Sequence, residues 1–201
     1  MTLIAGIDPG ASGAVGIYCT DTKELMGVHD LPFWFQLVNK KKRKRIDPIA
    51  MMELFEMLLM LDVRLVVMEA NNNRPGQSAQ SGFSFGYTTG LIYMACMYSK
   101  LMVETVPPQR WKKLMNVPGK ATKGTKAEQK VAHDAIVMKA SEIFPKNREM
   151  FMGAKGGFKM DRAEACMLAK FGGDFIYPSM KNFDLEDPDV RKALTELETG
   201  A

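Results

Sequence analysis

Near the start of the chain, Leu3-Ile4-Ala5-Gly6-Ile7-Asp8-Pro9-Gly10-Ala11-Ser12-Gly13 reads as a short apolar run that ends in an acid and turns at once. Leu3 to Asp8 has the length of a strand, and Pro9, Gly10, Ser12 and Gly13 supply the turn. Ala14 to Cys19 then reads as a second strand, which makes a hairpin. Glu24 to Asp30 is a third strand, and Phe33 to Val38 a further extended piece. Val63 to Glu69 (VRLVVME) is again a β-branched apolar run closed by a carboxylate, as a buried strand would be. Leu101 to Val106 is stopped by Pro107 and Pro108.

Helices fill the intervals. Asp47 followed by Pro48 is a helix start, an N-cap acid before a proline at the first helical position, and the helix runs to about Met60. Asn71 to Ser81 is a polar loop. Residues 82 to 99 form a long helix with Phe83, Tyr87, Leu91, Met94 and Tyr98 on one stripe. A short helix over Gln109 to Met115, a basic loop over Val117 to Gly124 and a helix over Lys126 to Phe144 follow. A further helix covers 161 to 171, and a last one lies around Val190 to Glu198. Strands alternating with helices in this order give an α/β architecture, a mixed sheet flanked by helices.

Composition bounds the rest. At 201 residues, 46% apolar and 25% charged, the chain suits one soluble domain, taken as residues 1–177, with an acidic extension over 178–201. It has no apolar run near the ~18 residues of a membrane span and no signal-peptide pattern, so a cytoplasmic location and no membrane partner are expected. Cys19, Cys96 and Cys166 have no CxxC or Cys/His spacing and read as buried thiols. His29 and His133 read as structural, the seventeen methionines as core filler, and Trp34 and Trp111 as packing residues.

The formal charge is only +4, but it is concentrated. Lys40 to Arg45 are six consecutive cations. A second zone holds Arg110, Lys112, Lys113, Lys120, Lys123, Lys126 and Lys130 with Glu128 as its one acid. Such clusters suit a polyanion, because they release condensed counterions from phosphates; each alone also fits a solvated run, and lysines blunt exposed strand edges.

The acids point to chemistry. Asp8 and Glu69 end two strands that would lie side by side as sheet neighbours. Asp161 and Glu164, three apart, share one helix face. Singly, each has an ordinary use: an Asx turn, a strand-end ion pair, or a favourable charge at a helix start. Together, four carboxylates repel unless cations lie between them, and oxygen-only ligands suit Mg²⁺ or Mn²⁺. Two such ions are a means of phosphodiester hydrolysis.

Ile7-Asp8-Pro9-Gly10 with Ser12-Gly13, Val66-Val67-Met68-Glu69 and Asp161-Arg162-Ala163-Glu164-Ala165, in this order, resemble the RuvC family of Holliday-junction resolvases, the phage-type members most closely. Pro107-Pro108-Gln109-Arg110-Trp111-Lys112-Lys113 is similar to the segment after that family's fifth strand, and Gln77 to Gly90 to its dimer-helix region. The resemblance spans about residues 3–172. It implies an RNase H-like fold with a five-stranded mixed sheet, and catalytic and metal-ligating roles for Asp8, Glu69, Asp161 and Glu164. It also implies two Mg²⁺ per site (Mn²⁺ as substitute) with no small-molecule cofactor, and a homodimer that nicks a four-way DNA junction symmetrically, leaving 5′-phosphate ends. Arg74, Lys112, Lys113, Lys120, Lys123 and Lys126 become the DNA-binding candidates.

Two positions depart from the family. Glu164 stands where cellular members carry aspartate. Ala70 to Pro75 lacks the aromatic those members place against junction bases, a role open to Phe83 or Phe85, although core packing suits both. Two alternatives share the features: an RNase H-like nuclease for RNA–DNA hybrids or flaps, and a non-catalytic branched-DNA-binding protein. An actin-like kinase, suggested by GIDPGASG, needs more chain and a second phosphate loop.

Overall fold

The computed structural model describes the chain apart from residues 11, 39, 71–77, 120–123, 154–155 and 181–201. Arg74, Lys120, Lys123 and the expected last helix thus lie outside the described residues, as does nearly all of the acidic extension.

Five strands make the main sheet: β1 (Leu3–Asp8), β2 (Ala14–Cys19), β3 (Glu24–Asp30), β6 (Val63–Glu69) and β7 (Val103–Val106), in the order β3-β2-β1-β6-β7. The first three form an antiparallel meander, with Gly6 opposite Gly16. β6 and β7 add parallel to β1, with Ile7 beside Met68. This is the expected mixed α/β sheet.

Alternation along the central strands divides the core between two faces. Leu3, Ala5 and Ile7 of β1 pack with α1 (Pro48–Met60) and α2 (Ala79–Tyr98). Ile4 of β1, Tyr18 of β2 and Val67 of β6 pack on the other face with α3 (Pro108–Leu114), α4 (Lys126–Ile143) and α5 (Met160–Phe171). Local signals set the helix starts. Asp47 accepts hydrogen bonds from the Ile49 and Ala50 N–H groups at 3.1 and 3.2 Å. Thr125 and Glu128 close a capping box at the head of α4, which gives the acid of the second basic zone a structural use. Beyond α5 a π-helical segment, Gly172–Ile176, leads into α6 (Tyr177–Met180). None of the described helices is long and apolar enough to cross a membrane.

The basic tract departs from a plain solvated run. Lys41–Ile46 is a strand, β5, which pairs antiparallel with β4 (Phe33–Val38) in a separate two-stranded sheet. Lys40 makes the turn at φ 61°. Consecutive cations carry no strand periodicity, so only the alternating partner strand specifies the pairing. Three core expectations also fail. Trp34, Met60 and Phe83 are exposed, and the α2 stripe of Phe83, Tyr87, Met94 and Tyr98 faces solvent while Thr88, Ile92, Ala95 and Cys96 face the core. The three cysteines are buried and free, and burial pushes the Cys96 thiol up to about 12, so it stays protonated.

α5 lies against β1 and β2 at backbone contact. A Cβ on Gly6 would stand 2.2 Å from both the Ala165 carbonyl oxygen and the Ala169 nitrogen, and one on Gly16 2.6 Å from Cys166 Cα. Gly86 and Gly90 on α2 have nothing within 4 Å. Gly6→Ala should therefore cost about 3 kcal/mol or more of unfolding free energy, because a backbone must move. Gly86→Ala should instead stabilise by about 0.5–1 kcal/mol through helix propensity. Urea titrations of the two variants check both signs.

Candidate functional site

The site forms where β1 and β6 end. Asp8 is the last residue of β1 and Glu69 the last of β6; since Ile7 pairs with Met68, both acids leave the same end of neighbouring strands. Both lie on the face covered by α5, opposite to Ile7 and Met68. α5 begins at Met160, so Asp161 and Glu164 sit in its first turns. The glycine-lined contact carries these turns down to β1.

Asp8, Asp161 and Glu164 consequently converge, with one carboxylate oxygen from each within 4.8 Å of the others. Asp8 is 7% exposed and Glu164 fully buried. Three largely buried carboxylates at this separation fit a divalent cation with oxygen ligands. Glu69 stands one strand away, outside this close group, and its Oε2 accepts a hydrogen bond from Trp111 Nε1 at 3.0 Å. Trp111 is fully buried, so the indole fixes the carboxylate from the protein side. Packing was the only role the sequence offered for this tryptophan.

Lys112, expected on the DNA surface, is instead part of the acidic site. Its Nζ donates to Glu164 Oε1 at 2.6 Å, with the two side chains 12% and 1% exposed. α3 thus delivers Trp111 to one carboxylate and Lys112 to another from adjacent positions. Lys113, the next residue, is exposed, and Lys126 lies on the opening turn of α4. Lys126, Gln129, Lys130 and His133 follow one helical stripe and line a cleft of about 650 Å³ with Met152 and Phe158.

Arg162, between the two acids of α5, holds the helix in place. Its Nε and one terminal nitrogen donate to Asp30 at 2.6 and 2.9 Å, and its other nitrogen to the Met150 and Met152 carbonyls. A two-pronged pair of this kind fixes orientation as well as distance. The side-chain hydrogen bond from Arg162 holds the Asp30 carboxyl below its ordinary value of 3.8. Sequence spacing singled out Asp161 and Glu164 and passed over the arginine between them.

Compared with solved structures, the chain matches Thermus thermophilus RuvC in complex with a Holliday junction substrate. The TM-score is 0.55 and the identity 12%, over 90% of this chain and 96% of that chain. The fold is that of RuvC. A second Thermus thermophilus RuvC structure aligns at 14% identity over 90% of this chain and 97% of that one, with a TM-score of 0.48. No protein-family model and no curated protein matches the chain. The RuvC fold bears out the RNase H-like architecture with its five-stranded mixed sheet.

Two measurements probe the site without catalysis. Lys112→Ala leaves the buried Glu164 without its lysine and should lower stability in EDTA by on the order of 3 kcal/mol. Added Mg²⁺ should then raise the melting temperature of the variant more than that of wild type, since a bound cation replaces the lost charge. The Asp30 effect has the opposite dependence on conditions. Its pKa is depressed on folding, so its contribution is fully present above 3.8 and is lost as pH falls through the lower folded value. Acid titration of Asp30→Asn should show less loss of stability below pH ~4 than wild type.

Proposed function

We propose that the protein is a divalent-metal-dependent endodeoxyribonuclease that resolves four-way DNA junctions as a homodimer. The observation that carries this reading is the gathering of Asp8, Asp161 and Glu164 at the end of the central strand, within the RuvC fold. In support, the matched Thermus thermophilus protein is described in complex with a Holliday junction substrate. The exposed apolar stripe of α2 supports the homodimer, since Phe83, Met94 and Tyr98 are each at least 65% exposed.

In this reading Asp8, Asp161 and Glu164 hold a divalent ion, with Glu69 on the neighbouring strand available for a second; Mg²⁺ is the favoured metal. The bound ions supply Lewis acidity at the scissile phosphate and favour ionisation of the attacking water. The chain's own residues do the remainder. β1, β6 and α5 fix the carboxylates in advance, so their convergence requires no reorganisation during the reaction. Trp111 orients Glu69 through its indole N–H. Lys112 carries three donors on its ammonium and can exchange Glu164 for a phosphate oxygen, which brings positive charge to the point where negative charge builds up. Lys113 and the Lys126 to His133 stripe offer cations to the flanking backbone, joined in this proposal by Arg74, Lys120 and Lys123.

The Lys112–Glu164 pair also favours a second reading, a branched-DNA-binding protein without catalysis, because it neutralises one carboxylate by itself. Cleavage separates the two. End-labelled four-way junction should be nicked at paired symmetric positions with Mg²⁺ or Mn²⁺, not in EDTA, and linear duplex should be spared. Asp8→Asn should lower cleavage by at least about 10²-fold while junction affinity changes little. Junction binding with no metal-dependent nick identifies the binding protein instead. Cutting confined to RNA–DNA hybrid assigns the site to a different substrate.

A further inference from the structure

The β4–β5 hairpin takes no part in the acidic site, yet it combines the densest run of cations with four exposed large apolar side chains, Phe33, Trp34, Phe35 and Leu37. Cross-strand pairing sorts them into two faces. Phe35 opposite Lys44 and Leu37 opposite Lys42 share one face. Lys44 from that face donates to Ser12 Oγ at 3.0 Å, which sets the hairpin beside the turn that follows Asp8. The other face carries Trp34 opposite Arg45 and Gln36 opposite Arg43.

This second face meets α2 across a cleft of about 330 Å³ in which Trp34, Gln36 and Arg45 confront Phe83 and Tyr87. The Phe83 and Tyr87 rings stack at 6.4 Å between centroids, 20° from parallel. Arg45 donates its Nε to Gln36 Oε1 at 3.0 Å, which leaves the terminal guanidinium N–H groups and the Gln36 amide N–H groups for a ligand. Flat aromatic walls, a polar end and a rim of cations match a planar, polar-edged group carried on a phosphate chain.

We propose that this cleft binds an unpaired DNA base at the branch point, stacked among Trp34, Phe83 and Tyr87, with the adjoining phosphates held by the cations of β5. Charge selects this occupant. Lys40 to Arg45 contain six cations and no acid, so the hairpin repels a second copy of itself and attracts a phosphodiester. Aromatic stacking beside a basic track is also how unpaired strands are held without sequence preference. The inference rests on the reading of the protein as a branched-DNA enzyme and adds to it a site for the strand the branch exposes.

The two tryptophans make the test direct. Trp111 is fully buried and Trp34 is 47% exposed, so a ligand-dependent change in tryptophan emission reports on Trp34. With the full chain in EDTA, oligothymidylate should quench this emission and protect it from acrylamide, and blunt duplex of equal length should do neither. Trp34→Leu and Phe83→Ala should each weaken oligothymidylate binding by about 5- to 100-fold, the scale of one lost stacking partner. Circular dichroism and melting confirm that the variants are folded; should either fail to fold, quenching of wild type and the affinity of Arg45→Gln decide.

Unquenched emission with unchanged affinity overturns the proposal. So does sedimentation showing that the variants split a dimer while binding oligothymidylate as before, since the cleft is then a subunit contact. Junction cleavage by wild type is scored separately. Cleavage without Trp34 quenching removes this cleft and leaves the nuclease reading intact, whereas quenching without cleavage under either metal removes the nuclease reading and leaves the cleft.

Discussion

Everything at the acidic site depends on how closely one helix can approach one sheet. Gly6 and Gly16 face each other across β1 and β2, and the missing side chains let the backbone of α5 settle where Cβ atoms would otherwise be. A helix held off by even a methyl group would carry Asp161 and Glu164 away from Asp8. The distance within the carboxylate group is thus set by two residues that have no chemistry of their own.

Close approach alone would be unstable, because it concentrates negative charge where little water can reach it. The surrounding side chains offset this in three ways. Lys112 neutralises Glu164 directly, Trp111 satisfies Glu69 with an uncharged donor, and Arg162 ties the start of α5 to Asp30 on the edge strand β3. At the far end, Lys170 bonds Asp174 at 2.7 Å and stands over the Tyr18 ring, so α5 is held to β2 there as well. The acidic group is mounted on a helix fixed at both ends, which is what a preorganised site requires.

Much of this was legible in the residues. The main-sheet strands, the caps at Asp47 and on α5, and the convergence of Asp8 with Asp161 and Glu164 follow from apolar run length, turn residues and helical spacing. What escaped has physical reasons. β5 is a run of cations without alternation, and its strand state comes from β4. Trp34 and Phe83 are large and apolar, which favours burial on average, but the hairpin and α2 have nothing covering those faces. Lys112 was visible as a cation, not as the partner of a buried acid, because a contact spanning 52 residues leaves no local trace. Gly6 read as a strand residue, since a glycine's value to a helix packed above it lies in another part of the chain.

The order of these residues along the chain also has a bearing on synthesis. Asp8 is made among the first residues and Asp161 and Glu164 more than 150 residues later, at the opposite end of the described fold. The meander of β1, β2 and β3 can form as soon as it emerges, but its glycine-lined face waits for α5. A chain still growing on the ribosome therefore holds a lone aspartate at the end of β1 and no assembled acidic group. Assembly of that group is itself a check that translation has passed residue 164.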